Sequence, residues 1–278
     1  MIKKLFLIIV FIILVIPVYF MFIGGFQNMA GIQKMPPNFI PYNPTLYNYE
    51  TIFKWPVLVW LKNTIIVTFF TTMFSVLLCS MSGYAFAFYD MKYKKILWGA
   101  LLLGIMIPRI SLIIPTYVII KQLGLSGTLQ AVILPIIYYP VGMYLARIYF
   151  KTIPISLLES ARLDGANEWQ ILTKIIMPIS KPILTALALF SSINALQDYI
   201  WQMLVLQKDQ ARTLLVGLIQ LSLRRGDVAL PDGTHMTMNV FGIGLAVGTL
   251  LLLPLLLMFL IANKYFTQSL NGADGIKE

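Results

Sequence analysis

The residues of this chain that could do chemistry are few and widely spaced. Arg109 follows Pro108 inside one apolar stretch, and Asn194, Gln197, Asp198, Tyr199 and Trp201 sit together in another. A guanidinium at the centre of an isolated membrane helix costs about 2.5–3.5 kcal/mol to insert, so Arg109 must face protein or water. It is either a donor lining a polar cavity or the structural partner of a carbonyl or of an acid such as Asp198. The amides carry the same two readings, contact with a solute or hydrogen bonding between helices. No reaction centre assembles around them. Neither His nor Glu accompanies the serines and aspartates of the apolar stretches, so no nucleophile–base set exists and no catalytic residue is assigned. His235 is the sole histidine and lacks metal-binding neighbours, so no metal site is expected. Cys79 is the sole cysteine, which excludes an intramolecular disulfide. No Gly-x4-Gly-Lys-Ser/Thr run occurs, so any ATP chemistry belongs to another chain and no cofactor is expected on this one.

The elements that must position these groups are membrane helices. The chain has 278 residues, 59% of them hydrophobic and only 12% charged, where a soluble domain carries about 25%. That is more apolar sequence than one soluble core can bury, and the solvent is lipid. Six stretches are long enough to cross a bilayer, which takes about 20 mostly apolar residues. They are Leu5–Gly25, Val59–Phe88, Ile96–Ile120, Leu129–Phe150, Pro182–Leu204 and Val240–Ala262. The first is too long for a signal-peptide core and lacks a close cleavage site, so it reads as an anchor. The net charge of +10 does not point to nucleic acid, because the cations cluster at the ends of the apolar stretches. Lys3/Lys4, Lys92/Lys94/Lys95, Arg147/Lys151/Arg162/Lys174/Lys181 and Lys264/Lys277 alternate with less basic connectors. The positive-inside rule then puts both termini and the 151–181 loop in the cytoplasm. Arg224 and Arg225 fall on the outer side, within a long polar segment, 205–239, that reads as a small folded feature. The outer connector Gln27–Trp55 is rich in Pro, Asn and Tyr and reads as an extended segment on the membrane face. Gly244 and Gly248 make a GxxxG match, which predicts close helix packing.

The loop Glu159–Pro178 predicts a helix, a sharp turn and a second helix. Ser156 and Glu159 have the spacing of a capping box, with the serine as N-cap. Asp164-Gly165 offers a stop, since Gly165 takes a positive φ without steric cost. The second helix places Trp169, Leu172, Ile175 and Ile176 on one face, turns Glu168, Gln170 and Lys174 elsewhere, and ends at Pro178. Such a knob presents apolar side chains and a carboxylate to a partner, or rests on the membrane surface as an interfacial segment.

The order Glu159-x-Ala161, Gly165, Ile175, Met177-Pro178 resembles the EAA loop of bacterial ABC importer permeases. Pro36-Pro37, Thr45-Leu46-Tyr47-Asn48-Tyr49, Trp60 with Asn63-Thr64, and Ser82-Gly83-Tyr84-Ala85-Phe86-Ala87 extend the resemblance. So do Ile107-Pro108, Ile114-Pro115, Leu123-Gly124-Leu125, Thr128, Thr213–Leu218 and the tail Gly272–Lys277. Over nearly its full length the chain is similar to the second-type permease subunits of carbohydrate-uptake ABC importers, in the binding-protein-dependent transport inner-membrane component family. Ser160 replaces the second alanine of the loop motif and Met177 its usual leucine. The segment Leu196–Met203 departs further, because Leu, Gln and Gln stand where the family has Trp, Asn and Pro.

The resemblance implies an all-α membrane protein of type I ABC importer permease fold, with six transmembrane helices and cytoplasmic termini. It implies a non-catalytic subunit of the bacterial inner membrane that pairs with a second homologous permease and with two ATPase subunits that use ATP and Mg. An extracytoplasmic solute-binding protein would deliver a sugar or oligosaccharide. Glu159, Ala161, Asp164, Gly165, Ala166 and Pro178 would form the ATPase-coupling element. Arg109, Asn194, Gln197, Asp198, Tyr199 and Trp201 are candidates for the substrate path, Arg109 as a donor to sugar hydroxyls or a carboxylate. The domain plan is an anchor and outer segment at 1–58, the permease domain at 59–263 with its loop at 151–181, and a cytoplasmic tail at 264–278. A stand-alone secondary transporter or channel is the alternative, disfavoured because the six stretches show no paired broken-helix repeats and few ions. An intramembrane enzyme lacks its catalytic constellation.

Overall fold

The structure, a computed structural model, describes residues 2–32, 39–41, 43–224, 227–229, 235–237 and 240–274. Side chains of 225–239 and of residues beyond 260 lie outside the description, as do Pro36-Pro37 and the end of the tail. Among the described residues the regular structure is helical apart from one short antiparallel pairing of β1 (Asp227–Ala229) with β2 (His235–Thr237). Two compact units divide it, Met1–Asn63 with Lys208–Leu257 and Thr64–Gln207 with Met258–Glu278.

The first unit holds α1 (Ile2–Gly25), α2 (Met29–Ile32), α3 (Tyr47–Phe53), the start of α4 (Val57–Phe88), α14 (Leu214–Ser222) and most of α15 (Val240–Asp274). Its core joins Ile52, Trp55, Trp60, Leu214, Leu218, Ile243 and Val247. Two asparagines hold its connectors. Asn48 donates through Nδ2 to the carbonyls of Gly25 and Gln27 at 3.0 and 2.9 Å. Asn63 donates in the same way to Gln210 and Arg212, both at 2.9 Å, while the Trp60 indole N–H donates to the Asp209 carbonyl at 2.7 Å. The connector Gln27–Trp55 is not extended throughout, because α2 and α3 form within it. The two helices lie on either side of its prolines, 36–44, which break helices but leave the flanking residues free to form them. Arg224 lays its guanidinium 4.2 Å from the Trp55 ring centroid, so its charge is engaged locally. Of the two GxxxG glycines, a Cβ on Gly248 would stand 2.6 Å from Met21 Sδ, whereas one on Gly244 meets nothing within 4 Å. Only Gly248 marks a close approach.

The second unit carries the rest of α4, α5 (Lys94–Met106), a 3-10 turn at Arg109–Leu112, α6 (Ile113–Gln122), α7 (Leu129–Ile136) and α8 (Pro140–Phe150). It continues through α9 (Ile155–Leu163), α10 (Glu168–Gln170), a π turn at Ile171–Ile176, α11 (Met177–Ile179), α12 (Lys181–Gln197) and α13 (Tyr199–Val205). Among the described residues three helices are long and apolar enough to cross a membrane unaided, in α1, α4 and α15. The stretches read from the sequence as continuous spans three, four and five are instead broken. Lys94–Met106 meets Arg109–Gln122 at 100°, Leu129–Ile136 meets Pro140–Phe150 at 44°, and Glu168–Ile179 meets Lys181–Gln197 at 87°. The first two breaks fall beside Pro108 and Pro140, whose rings forbid the preceding residue a helical conformation. The third bend lies just before the stretch read as span five, which itself breaks at Asp198, whose ψ of 68° lies outside the helix.

Gly217 of α14 packs on the Trp60 ring so closely that a Cβ would lie 2.3 Å from the indole. Gly217→Ala should cost about 1–3 kcal/mol and lower the thermal midpoint in detergent, whereas Gly244→Ala should leave it within about 0.5 kcal/mol of wild type.

Candidate functional site: a braced loop and a polar cavity

The loop after α8 is built from its turn outward. Helix α9 closes with Asp164 as C-cap and Gly165 at φ 82°, a conformation that a Cβ would make costly. Ala166 N–H donates to the Ala161 carbonyl at 2.9 Å and Gly165 N–H to the Arg162 carbonyl at 3.1 Å. These two bonds are a Schellman closure, which satisfies carbonyls the helix end would orphan. Asn167 then caps the next helix, its Oδ1 accepting from Gln170 N–H while Gln170 Oε1 accepts from Asn167 N–H, each at 2.9 Å. The reciprocal capping box was legible as Asn-Glu-Trp-Gln, but the sequence reading placed the box at Ser156–Glu159. There Pro154 occupies the N-cap position with no side-chain cap, and α9 starts at Ile155. Proline brings its own helix-compatible φ and no N–H to satisfy, so Ser156 falls inside the first turn and is not the cap.

The inner side of this loop belongs to a core. Leu158, Ala161, Ile171, Leu172 and Ile176 pack with Tyr84, Met143, Ala146 and Phe150. Trp169, expected on one face with Leu172, Ile175 and Ile176, parts from the buried Leu172 and Ile176 and is 54% exposed. The π turn explains the change. With one extra residue per hydrogen-bonded turn, positions five apart share a face, and Ile171 and Ile176 are both fully buried. Nor does Pro178 end the helix. It sits within α11, and the chain turns after Ile179 at Ser180. A wide turn just upstream is the distortion that lets a helix accept a proline without stopping.

Glu168, expected to turn away, is the most constrained acid of the loop. Its carboxylate accepts from Arg162 Nε at 2.9 Å and Nη2 at 3.3 Å, and from the Tyr84 hydroxyl of α4 at 2.5 Å. The Arg162 bonds foremost, against a smaller opposing effect of burial and with help from the Tyr84 and Tyr89 hydroxyls, hold its carboxyl down at about 2. Sequence spacing gave no signal for this network, because Tyr84 lies far along the chain and Arg162 and Glu168 are separated by the turn. The outer side of the loop is left open. Glu159, Ser160, Asp164, Gly165 and Asn167 are exposed, and Leu163 reaches 90% exposure. Glu159, Ala161, Asp164, Gly165 and Ala166 are thus gathered about one turn, Ala161 facing inward, with Pro178 at the far end of the following helix.

The path candidates converge elsewhere in the same unit. A cavity of about 620 Å³ is lined by Arg109, Asn194, Gln197, Asp198, Tyr199 and Trp201, among others. Arg109, in the 3-10 turn after Pro108, donates through Nη2 to Asp198 Oδ2 at 2.9 Å, with side chains 59% and 14% exposed. Of the two roles open to Arg109 in the sequence, pairing with Asp198 is the one seen, and the guanidinium still opens into the cavity. Asn194 and Gln197 are exposed. Trp201 is 3% exposed and spends its indole N–H on the Ala131 carbonyl at 3.0 Å, so it walls the cavity more than it offers a donor. Ser191 and Tyr138 also line the space and were not singled out from the sequence. Both sit in runs whose polar members look like ordinary helix residues. Among the described residues no group of three or more His, Cys, Asp or Glu could hold a metal ion.

Broken helices thus line the cavity, and the same unit carries the capped loop. The chain superposes with TM-score 0.81 on a chain of a bacterial ABC transporter involved in the import of the acidic polysaccharide alginate, at 20% identity over 95% of both chains. It is 30% identical to the arabinooligosaccharides transport system permease protein AraQ of Halalkalibacterium halodurans, over 95% of this chain and 92% of that one. It is also 30% identical to the trehalose/maltose transport system permease protein MalG of Thermococcus litoralis, over 94% and 91%. No family model matches. The chain belongs to the permease subunits of carbohydrate-uptake ABC importers.

Glu168→Gln should free the second loop helix, so amide exchange over Asn167–Ile176 should quicken by roughly tenfold at neutral pH. In the wild type the depressed carboxyl contributes stability that is whole above the ordinary value near 4.5. Protection, corrected for intrinsic exchange, should therefore be lost as pH falls from there through about 2.

Proposed function

We propose that this chain is one of two permeases that together line the path of an ATP-driven sugar or oligosaccharide importer, and that the 151–181 loop couples it to ATPase subunits. The observation that carries the proposal is the loop's two-sidedness. Its inner face is sealed into the core by Leu158, Ile171 and Ile176, and its outer face leaves Leu163 and Trp169 exposed around a rigid glycine turn. A side chain as apolar as Leu163 at the tip of a capped turn suits a protein cleft, and the carboxylates of Glu159 and Asp164 beside it suit a basic partner there. Ala161 and Ala166 let the turn close, Gly165 supplies its backbone, and Pro178 shapes the exit toward α12.

In this reading each bent pair counts as one span, which makes six with α1, α4 and α15, in a bacterial inner membrane with both termini cytoplasmic. The lysine and arginine distribution supports that orientation. Residues 1–58 are the anchor and outer segment, 59–263 the permease domain and 264–278 the cytoplasmic tail. The subunit is non-catalytic and binds no cofactor of its own, ATP and Mg being used by two ATPase partners. A second, homologous permease completes the path, and an extracytoplasmic binding protein delivers the sugar. Relatives named for arabinooligosaccharide and for trehalose and maltose transport support the cargo class. Broken helices beside a polar cavity also suit a secondary transporter acting alone, and the same experiment decides between the two.

Purification of the tagged chain in mild detergent should recover ATPase subunits with it. Glu159→Lys should reduce that recovery by roughly tenfold, the scale of a reversed charge at an interface, and Gly165→Pro, which cannot adopt a positive φ, should abolish it. Sugar uptake that proceeds without an ATPase would turn the conclusion to the secondary transporter, and full ATPase recovery in both variants would overturn the coupling role of the loop.

A further inference from the structure

The cavity beside Asp198 combines a nearly neutral electrostatic balance with an unmet hydrogen-bonding demand. Arg109 and Asp198 are the charged residues among those that line it, and they neutralise each other at 2.9 Å. Asp198 is held at a helix break with its side chain only 14% exposed, whereas the Arg109 side chain is 59% exposed and lines the cavity. The remaining polar lining is uncharged, with Asn194 and Gln197 exposed beside the pair. Ser191 of α12 also lines the cavity, is 2% exposed, and its Oγ has no hydrogen-bond partner. A buried hydroxyl costs about 1–3 kcal/mol when its bond is unmade, and this Oγ is itself shut off behind the cavity wall. The aromatic faces of Tyr138 and Tyr199 add apolar contact.

We infer that this cavity is a site for an uncharged saccharide segment and that the Arg109–Asp198 pair excludes acidic sugars. The inference rests on the transport-path reading above and deepens it by fixing the charge class of the cargo. Adjacent hydroxyls of a neutral sugar can donate to Asp198 and accept from the free N–H groups of Arg109 without separating the two. A uronate carboxylate reaches Arg109 only by competing with Asp198. It would then strand a largely buried carboxylate and place two like charges in one small cavity, an arrangement that costs several-fold to many-fold in binding. The selectivity therefore resides in Asp198, which occupies the guanidinium that a free anion would seek.

The test uses the full-length chain in its detergent-solubilised assembly, without a solute-binding protein, so that selectivity upstream does not mask this site. Saturation-transfer NMR would compare arabinotriose and maltotriose as neutral probes with trigalacturonate as the acidic one. The wild type should favour at least one neutral probe over trigalacturonate by on the order of tenfold. Asp198→Asn, which leaves Arg109 as an unpaired cation, should shift that ratio toward trigalacturonate by on the order of tenfold. Arg109→Gln combined with Asp198→Asn replaces the pair by two amides and should restore rejection of the acid. Equal transfer to neutral and acidic probes in the wild type, binding of neither neutral probe, or an unchanged ratio in Asp198→Asn would each overturn the inference. Failure of any ATPase to copurify, with discrimination intact, would sink the coupling assignment and leave this one standing. ATPase recovery with no discrimination would do the reverse.

Discussion

A backbone carbonyl or N–H released at a helix break has no water to turn to inside a membrane, and each one left unpaired costs several kcal/mol. A chain whose spans break repeatedly must therefore supply side chains that reach those groups. In the second unit Ser75 Oγ donates to the Ile137 carbonyl at 3.2 Å, at the break between α7 and α8. Gln202 Nε2 donates to the Ala195 carbonyl at 2.7 Å, across the break at Asp198, and Trp201 pins the same short helix to Ala131 of α7. In the first unit Asn48, Trp60 and Asn63 perform this service for the connectors at Gly25–Gln27 and Asp209–Arg212. These residues fix where helices can stop, and the loop and the cavity are both made at places where helices stop.

The same constraint explains which parts of the architecture were legible in the sequence. Mean apolarity marked the stretches well, since a lipid-facing helix must be apolar along its length. It could not show the breaks near Pro108, Tyr139, Ser180 and Asp198, because each lies inside a run whose average hydropathy hardly changes. Pro108 and Pro140 were visible as helix breakers, yet a proline in a membrane helix kinks or bends as local partners allow, so the angle was not. Gly165 was legible because only its backbone could take the turn. The first capping residue was misplaced because Ser156 has the right chemistry but Pro154 takes the N-cap position of α9, and Asn167 caps the following helix.

The motif residues also changed meaning. Trp60 and Asn63 first served as marks of resemblance, and the structure gives them a mechanical reason, since both donate to carbonyls of the segment before α14. Tyr84 and Glu168 gained a role that no local pattern announced. The Tyr84–Glu168–Arg162 network ties the end of α4 to the second loop helix, so the loop is braced at its core and through a charged bond at its rim. Spacing arguments see neighbours one or two turns apart, and this contact joins residues 84 apart in sequence.

Loop and cavity are linked by a single rod. Helix α12 runs 17 residues from Lys181, directly after the loop, to Gln197, directly before Asp198, a length of about 25 Å at 1.5 Å per residue. Its proline lies in the first turn, where it does not interrupt the hydrogen-bond ladder, and no glycine follows it. Ser192, part-way along, is held to Thr72 of α4 at 2.7 Å, and the same α4 carries Tyr84 to the loop. A partner that moved the loop would therefore act on both ends of one braced pair of helices. The far end of that pair is the Asp198 break, where its carboxylate meets Arg109. The break is held by Gln202 and Trp201, whereas Arg109 sits on a separate turn after Pro108, so the Arg109–Asp198 pair joins the end of the rod to an element outside it.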